Sequence, residues 1–94
     1  MRQEAAMVAW KLVFTKDACK DAKKIQSAGL RGRVDTLLAV LRANPFQNPP
    51  PYEHLVGDLA GAYSRRISIK HRLVYQVYKT EHTVKVLRMW PHYE

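Results

Sequence analysis

The chain has 94 residues, 47% of them hydrophobic, and its sixteen Lys and Arg against eight Asp and Glu give a net charge of +8. This length predicts one domain with one modest core, and the sequence lacks an apolar run of about 18 residues that could cross a membrane. One cysteine and four scattered histidines exclude an internal disulfide and offer no metal-ligand spacing, so no metal or cofactor is expected. The basic excess favours a polyanion or an acidic protein as partner.

The N-terminal part opens with residues 1–9, a polar extension without the apolar stretch and cleavage site of a signal peptide. Together with the single Cys19, this predicts a cytoplasmic protein in a reducing compartment. Residues 10–14 combine apolar and β-forming side chains and therefore predict a first strand.

Two helices are predicted next. The first covers about residues 17–28, with Thr15 as its N-terminal cap and Gly29 as its stop. The second carries one apolar stripe at helical spacing. This stripe consists of Leu30, Val34, Leu37, Leu38 and Leu41. The second helix should end at Asn44, because a residue before proline avoids the helical region.

A long connection follows, "NPFQNPPPYEHLVGDLAG" at residues 44–61, with three consecutive prolines. Prolines cannot donate ladder hydrogen bonds and favour an extended, stiff path, so no strand is predicted here. The connection is either a surface linker or, like many long loops in compact domains, a functional segment.

Three antiparallel strands are predicted after the connection, at residues 62–67, 71–79 and 83–90, with a tight polar turn at 79–82. Side chains alternate along the middle strand. One face carries Leu73, Tyr75 and Val77, and the other carries Arg72, Val74, Gln76 and Tyr78. The element order β-α-α-β-β-β predicts an α+β domain in which a helical hairpin packs on a mainly antiparallel, twisted sheet.

Several polar residues together have the composition of a site that cuts RNA without a metal ion. Such cleavage needs a base for the substrate's 2′-OH proton, an acid for the leaving 5′-oxygen, and cations for the phosphoryl charge. Glu53 fits the base, and His92 fits the acid because imidazole titrates near neutral pH. Arg72 could grip a phosphate with two parallel hydrogen bonds, helped by Arg65 or Arg66.

Each candidate also has a simpler interpretation that the residue pattern leaves open. Glu53 would be an exposed loop acid without a catalytic role. The charges of Arg65 and Arg66 would keep an edge strand soluble. His92 and its neighbour would be a frayed tail. Tyr63 fits either packing or the stacking of a nucleic-acid base.

Residues 10–93 resemble the Txe/YoeB toxins of bacterial toxin–antitoxin pairs, part of the RelE superfamily. The resemblance rests on "NPF", the proline-rich loop with "YEHL", the stretch "LAGAYSRRISIKHRLVYQV" and the late "HY", and is strongest over residues 59–77. It implies a RelE-like single domain and an mRNA endonuclease that cuts in the A site of the 70S ribosome. It places the catalytic glutamate at Glu53, the catalytic arginine at Arg72 and the acid at His92. Tyr93 is then a second candidate for the acid, or a positioning group.

The resemblance further implies partners. They are a cognate antitoxin of the YefM/Phd-like kind, with an acidic or amphipathic C-terminal segment that folds on binding, and a second copy in a homodimer. The loop "PPPYEHLV" lacks the lysines of the family's frequent "GKPEPLK", and the ending "WPHYE" replaces a frequent Arg-Tyr-His-Tyr. Two other functions stay open: a non-catalytic toxin of the same fold acting on DNA gyrase, like the ParE group, and a ribosome- or RNA-binding module without chemistry.

Overall fold

Five strands and two helices follow one another in the structure, a computed structural model that describes residues 9–90. Their bounds are β1 Lys11–Phe14, α1 Lys16–Ser27, α2 Arg31–Ala43, β2 Glu53–His54, β3 Tyr63–Arg66, β4 Arg72–Tyr78 and β5 Thr83–Arg88. A short 3-10 turn, Gly57–Leu59, lies between β2 and β3. No helix within residues 9–90 is long and apolar enough to span a membrane.

The helices begin and end where the sequence predicts. The Thr15 hydroxyl oxygen accepts a hydrogen bond from the backbone N–H of Ala18 at 3.0 Å and so caps α1. Gly29 has a φ of +75°, the left-handed backbone that lets the chain turn from α1 into α2. The extended backbone of Asn44, before the buried Pro45, ends α2.

The sheet has the strand order β1-β5-β4-β3-β2. β1 runs parallel to β5, and the other neighbouring strands are antiparallel. The helices cover one face of the sheet and form the core with it. Its largest fully buried apolar members include Ile25, Leu41, Leu73, Tyr75, Val84 and Val86. The predicted α+β architecture and the inward row of β4 are therefore confirmed.

An ion pair ties α1 to the end of β5. Asp21, only 2% exposed, accepts hydrogen bonds from Arg88 Nε at 2.8 Å and from the backbone N–H of Met89 at 3.0 Å. Burial alone would raise the pKa of Asp21. These hydrogen bonds, and the positive charges of Arg88 and Lys24, outweigh burial and hold that pKa below its ordinary value of 3.8.

The prediction of a connection without a strand is wrong at two residues. Glu53 and His54 form β2, which pairs antiparallel with β3 in the register Glu53↔Ser64 and His54↔Tyr63. The prolines at 49–51 have no N–H to donate, so pairing begins only after them. The connection thereby becomes the edge of the sheet and holds Glu53 at a fixed register.

Candidate active site

A cleft of about 240 Å³ opens on the face of the sheet that is turned away from the helices. Its lining residues come from β2, β3, β4 and the end of the proline stretch. They are Pro51, Glu53, Ser64, Arg66 and Arg72. Three of the predicted site residues, Glu53, Arg66 and Arg72, are thus brought together from positions up to 19 apart in the chain.

Strand register explains why these side chains meet. Ser64 stands opposite Glu53 on β2 and Val74 on β4, and Arg66 stands opposite Arg72. Side chains alternate across a sheet, so Ser64 and Arg66 share one face and their odd-numbered neighbours share the other. Glu53 and Arg66 are exposed and Arg72 is half-buried, so their charged ends lie within reach of a ligand.

The charges in the cleft suit a phosphate with an adjacent hydroxyl. Two guanidinium groups on paired strands present planar forks that match the oxygens of a phosphate. One carboxylate stands across the cleft on β2 and can accept a proton. Within residues 9–90, no three His, Cys, Asp or Glu side chains gather as a metal-ligand group.

Arg65 is not placed to bind a substrate, contrary to the prediction. It is 1% exposed and lies beneath the proline-rich connection. Its Nη2 donates to the carbonyls of Pro45 at 2.9 Å and Gln47 at 2.8 Å, and its Nη1 donates to the carbonyl of Pro50. The physical reason is the parity of β3: Arg65 pairs with the inward-facing Leu73, whereas Arg66 faces the cleft.

The buried guanidinium of Arg65 is further held by aromatic groups. Its Nε donates to the Tyr75 hydroxyl oxygen at 3.1 Å, and that hydroxyl donates to the Pro45 carbonyl at 3.1 Å. The Tyr52 ring lies 5.0 Å from the guanidinium carbon, within cation–π range. Burial raises the pKa of Tyr75, and the nearby charge of Arg65 only partly offsets that rise.

Tyr63, predicted as a substrate-binding residue, does not line the cleft and packs among other rings. Its ring packs edge-on against those of Phe46, Tyr52 and His54, at centroid distances of 5.5, 5.7 and 4.8 Å. Like Arg65, it occupies an odd position of β3 and faces the connection. Of the two alternatives for Tyr63, packing is the one observed.

The predicted His92 and Tyr93 lie outside the residues that the structure describes. The last described residue, Trp90, packs its ring against that of His71 at 4.1 Å, and His71 directly precedes Arg72. Ser64, which forms part of the cleft wall, was not predicted from the sequence. The alternation around Arg66 was the signal that could have found it, because Ser64 lies two residues away on the same face.

Comparison with known proteins identifies the family. A model of YoeB-like toxins of bacterial type II toxin-antitoxin systems matches residues 14–93. Toxin YoeB of Streptomyces coelicolor is 46% identical over 44 residues, which cover 47% of this chain and 52% of that toxin. The match therefore spans about half the length of that relative.

Solved structures agree over most of the chain. A YoeB/ParE toxin from Agrobacterium tumefaciens is 33% identical, with a TM-score of 0.79 over 88% of this chain and 99% of that one. YoeB of Staphylococcus aureus, solved in a complex with YefM and as a dimer, is 30% identical over 89% of this chain and 98% of that one, with TM-scores of 0.73 and 0.75. The chain belongs to the YoeB-like toxins of bacterial type II toxin–antitoxin systems.

Proposed function

We propose that this chain is a ribosome-dependent mRNA endonuclease that inhibits translation by cutting mRNA in the ribosomal A site. The observation that carries the proposal is the convergence of Glu53, Arg66 and Arg72 on one cleft of the open sheet face. The family's membership in toxin–antitoxin systems supports a toxic activity, and the YoeB toxins are known as RNases. The net charge of +8 suits a site that must approach ribosomal and messenger RNA.

The reaction uses the substrate's own nucleophile. Glu53 takes the proton of the 2′-OH, and the 2′-oxygen forms a bond to the adjacent phosphorus. The bond from phosphorus to the 5′-oxygen breaks, and an acid returns a proton to that leaving oxygen. The products are a 2′,3′-cyclic phosphate and a free 5′-OH, and the metal-free step requires only the protein's proton carriers. Acid–base assistance of this kind contributes roughly 10²–10⁴-fold in rate.

The guanidiniums stabilise the charge that grows on the phosphoryl oxygens. Arg72 is half-buried at the edge of the cleft, where partial removal from water strengthens its pull on an anion. Arg66, its cross-strand neighbour, holds the same or the adjoining phosphate. Their opposite positions on β3 and β4 fix the spacing of the two forks, which positions the phosphate for attack.

The proton donor is assigned to the C-terminal pair. His92 is the general acid, with Tyr93 as the alternative acid or as the group that positions the leaving oxygen. The packing of Trp90 against His71 supports this assignment, because it holds the last described residue beside the start of β4, the strand that carries Arg72.

The proposed partners follow the relatives. As the S. aureus YoeB has been solved with YefM and as a dimer, we expect a YefM/Phd-like antitoxin with an acidic C-terminal segment, and a second copy of this chain. We place the protein in the bacterial cytoplasm, where 70S ribosomes and mRNA are found. Copurification of a small acidic protein from the native host, released by high salt, checks the antitoxin.

Primer-extension mapping of an mRNA held on purified 70S ribosomes tests the activity. We expect a cut inside the A-site codon with the wild type, and a loss of at least about 100-fold for Glu53→Gln and for Arg72→Ala. Arg42→Ala removes the same charge from an exposed site on α2, behind the sheet, and should cut normally. Wild-type activity in Arg72→Ala would refute the site assignment. Salt-sensitive ribosome binding without any cut would favour the binding module.

One second candidate has specific support. The Agrobacterium structure that matches this fold is described as a YoeB/ParE toxin, and the ParE group acts on DNA gyrase. A gyrase supercoiling assay separates the two functions. Inhibition of supercoiling by this protein, together with no cut on ribosomes, would replace the proposed endonuclease with the gyrase toxin.

A further inference from the structure

Ser64 stands apart from other buried polar residues of the chain. It is 1% exposed, and its hydroxyl oxygen has no hydrogen-bond partner. It is the only buried side-chain N or O atom in that condition within residues 9–90. Buried hydroxyls are normally bonded, because leaving one unpaired costs free energy. An unpaired hydroxyl retained in the wall of a cleft therefore needs a reason other than packing.

The position of Ser64 identifies its missing partner. It lines the cleft and stands directly opposite Glu53 in the pairing of β2 with β3. Directly opposite side chains on one face have their Cβ atoms about 4.5–5.5 Å apart. A glutamate side chain is long enough to bring its carboxylate over a serine hydroxyl at that spacing. In the free protein Glu53 is exposed to water instead.

We propose that Ser64 is a positioning residue that donates a hydrogen bond to the Glu53 carboxylate when RNA fills the cleft. The bound RNA displaces the water around Glu53, so the carboxylate loses hydrogen bonds from water. The Ser64 hydroxyl replaces one of them. The carboxylate is then held on the cleft floor, facing the 2′-OH. The inference rests on the proposed function in treating Glu53 as the general base, but the hydrogen bond itself can be detected without any cleavage.

Three substitutions separate this role from packing. Ser64→Ala removes the hydroxyl and adds no volume. Ser64→Thr and Ser64→Val add nearly the same volume, but only threonine keeps a hydroxyl. We expect Ser64→Ala to have a urea midpoint equal to or above that of the wild type, because it removes an unpaired buried group. Its kcat on ribosomes should fall about 10- to 100-fold, with KM within about threefold, since substrate binding is untouched.

The cleavage rates of Ser64→Thr and Ser64→Val, compared with each other, give the second readout. Ser64→Thr should cut at least about tenfold faster than Ser64→Val at similar urea midpoints, since a hydrogen bond to a charged group has about that effect on a rate. A wild-type kcat in Ser64→Ala, or equal rates for the threonine and valine variants, would overturn the proposal. If both larger variants unfold, the alanine variant alone decides it.

An acid titration of the Glu53 carboxyl carbon by NMR supplies a readout independent of activity. The protein is titrated to saturation with a 2′-O-methylated RNA trinucleotide, which cannot be cut because its 2′-oxygens carry no proton and cannot attack the phosphorus. We expect the wild-type midpoint at lower pH than in Ser64→Ala, because a donated hydrogen bond favours the ionised carboxylate. Arg66 and Arg72 are the charged groups that line the cleft around Glu53, and both are kept in each variant, so their effect cancels.

The two proposals fail differently. Equal NMR midpoints would overturn the role of Ser64, even if the wild type cuts RNA on ribosomes. Different midpoints with no cut by the wild type would overturn the endonuclease and leave the hydrogen bond in place.

Discussion

Substitution by alanine should impair different properties of the protein at the adjacent residues Arg65 and Arg66. Both are arginines on β3, and alanine removes one positive charge in either case. Arg65 is buried under the connection and donates to the carbonyls of Pro45, Gln47 and Pro50. Arg66 is exposed in the cleft. We therefore expect Arg65→Ala to lower stability, and Arg66→Ala to lower activity alone.

The magnitude for Arg65 follows from its contacts. Within residues 9–90, its charge is met by three carbonyl oxygens, the Tyr75 hydroxyl and the Tyr52 ring rather than by a carboxylate. Hydrogen bonds to a charged group contribute about 1.5–3 kcal/mol each. The carbonyls would regain some water after truncation, so the expected net loss is about 3–5 kcal/mol. Domains of this kind have total stabilities of about 5–15 kcal/mol, so this loss is severe.

Urea unfolding followed by circular dichroism measures the first effect, and ribosome-dependent cleavage measures the second. The free energy of unfolding of Arg66→Ala should lie within about 0.5 kcal/mol of the wild-type value, as is usual for surface substitutions. Its cleavage should fall about tenfold or more through loss of a phosphate contact. A wild-type free energy of unfolding in Arg65→Ala, or a lower stability in Arg66→Ala than in Arg65→Ala, would refute these assigned roles.

Two further predictions concern stability, one at the Arg65 network and one at the ion pair between α1 and β5. Tyr75→Phe removes the hydroxyl that accepts from Arg65 and donates to Pro45, so it should cost about 1–2 kcal/mol in urea unfolding. A loss as large as that of Arg65→Ala would contradict the central role given to the guanidinium. Asp21→Asn should cost about 2 kcal/mol at pH 7, because Arg88 loses a charged partner while staying partly in water. Since the pKa of Asp21 is lowered in the folded protein, its contribution is present at neutral pH and is lost as pH falls below about 5. The difference between wild type and Asp21→Asn should therefore shrink between pH 5 and pH 3, and a constant difference in urea midpoints would refute this linkage.

Patterns that repeat along the chain predicted most of the fold. The apolar stripe has four members inside α2 and a fifth, Leu30, at its N-terminal cap, and Gly29 and Asn44 mark boundaries that the structure reproduces. The alternation in β4 correctly placed Leu73 and Tyr75 in the core. The apolar stripe and the strand alternation are reliable signals because each repeats over two or more turns of helix or several strand residues.

The features that escaped prediction depend on contacts distant in sequence. β2 has only two residues, too few for any periodicity, and it exists because β3 pairs with it. The burial of Arg65 contradicts the usual exposure of arginine, and depends on carbonyl oxygens 15 to 20 residues earlier in the chain. The convergence of Glu53 with Arg72 could be proposed from the residue types, but the cleft that joins them depends on the register of three strands.

The four residues of β3 link the stability of the connection to the geometry of the cleft. Its odd positions, Tyr63 and Arg65, hold the connection from beneath, and its even positions, Ser64 and Arg66, face the cleft. A shift of β3 by one residue would exchange the two sets, because side chains alternate with a period of two. It would place a serine where three carbonyls need donors, and Arg65 in the cleft. The cost of leaving those carbonyls unpaired therefore also fixes the register that sets Glu53 opposite Ser64.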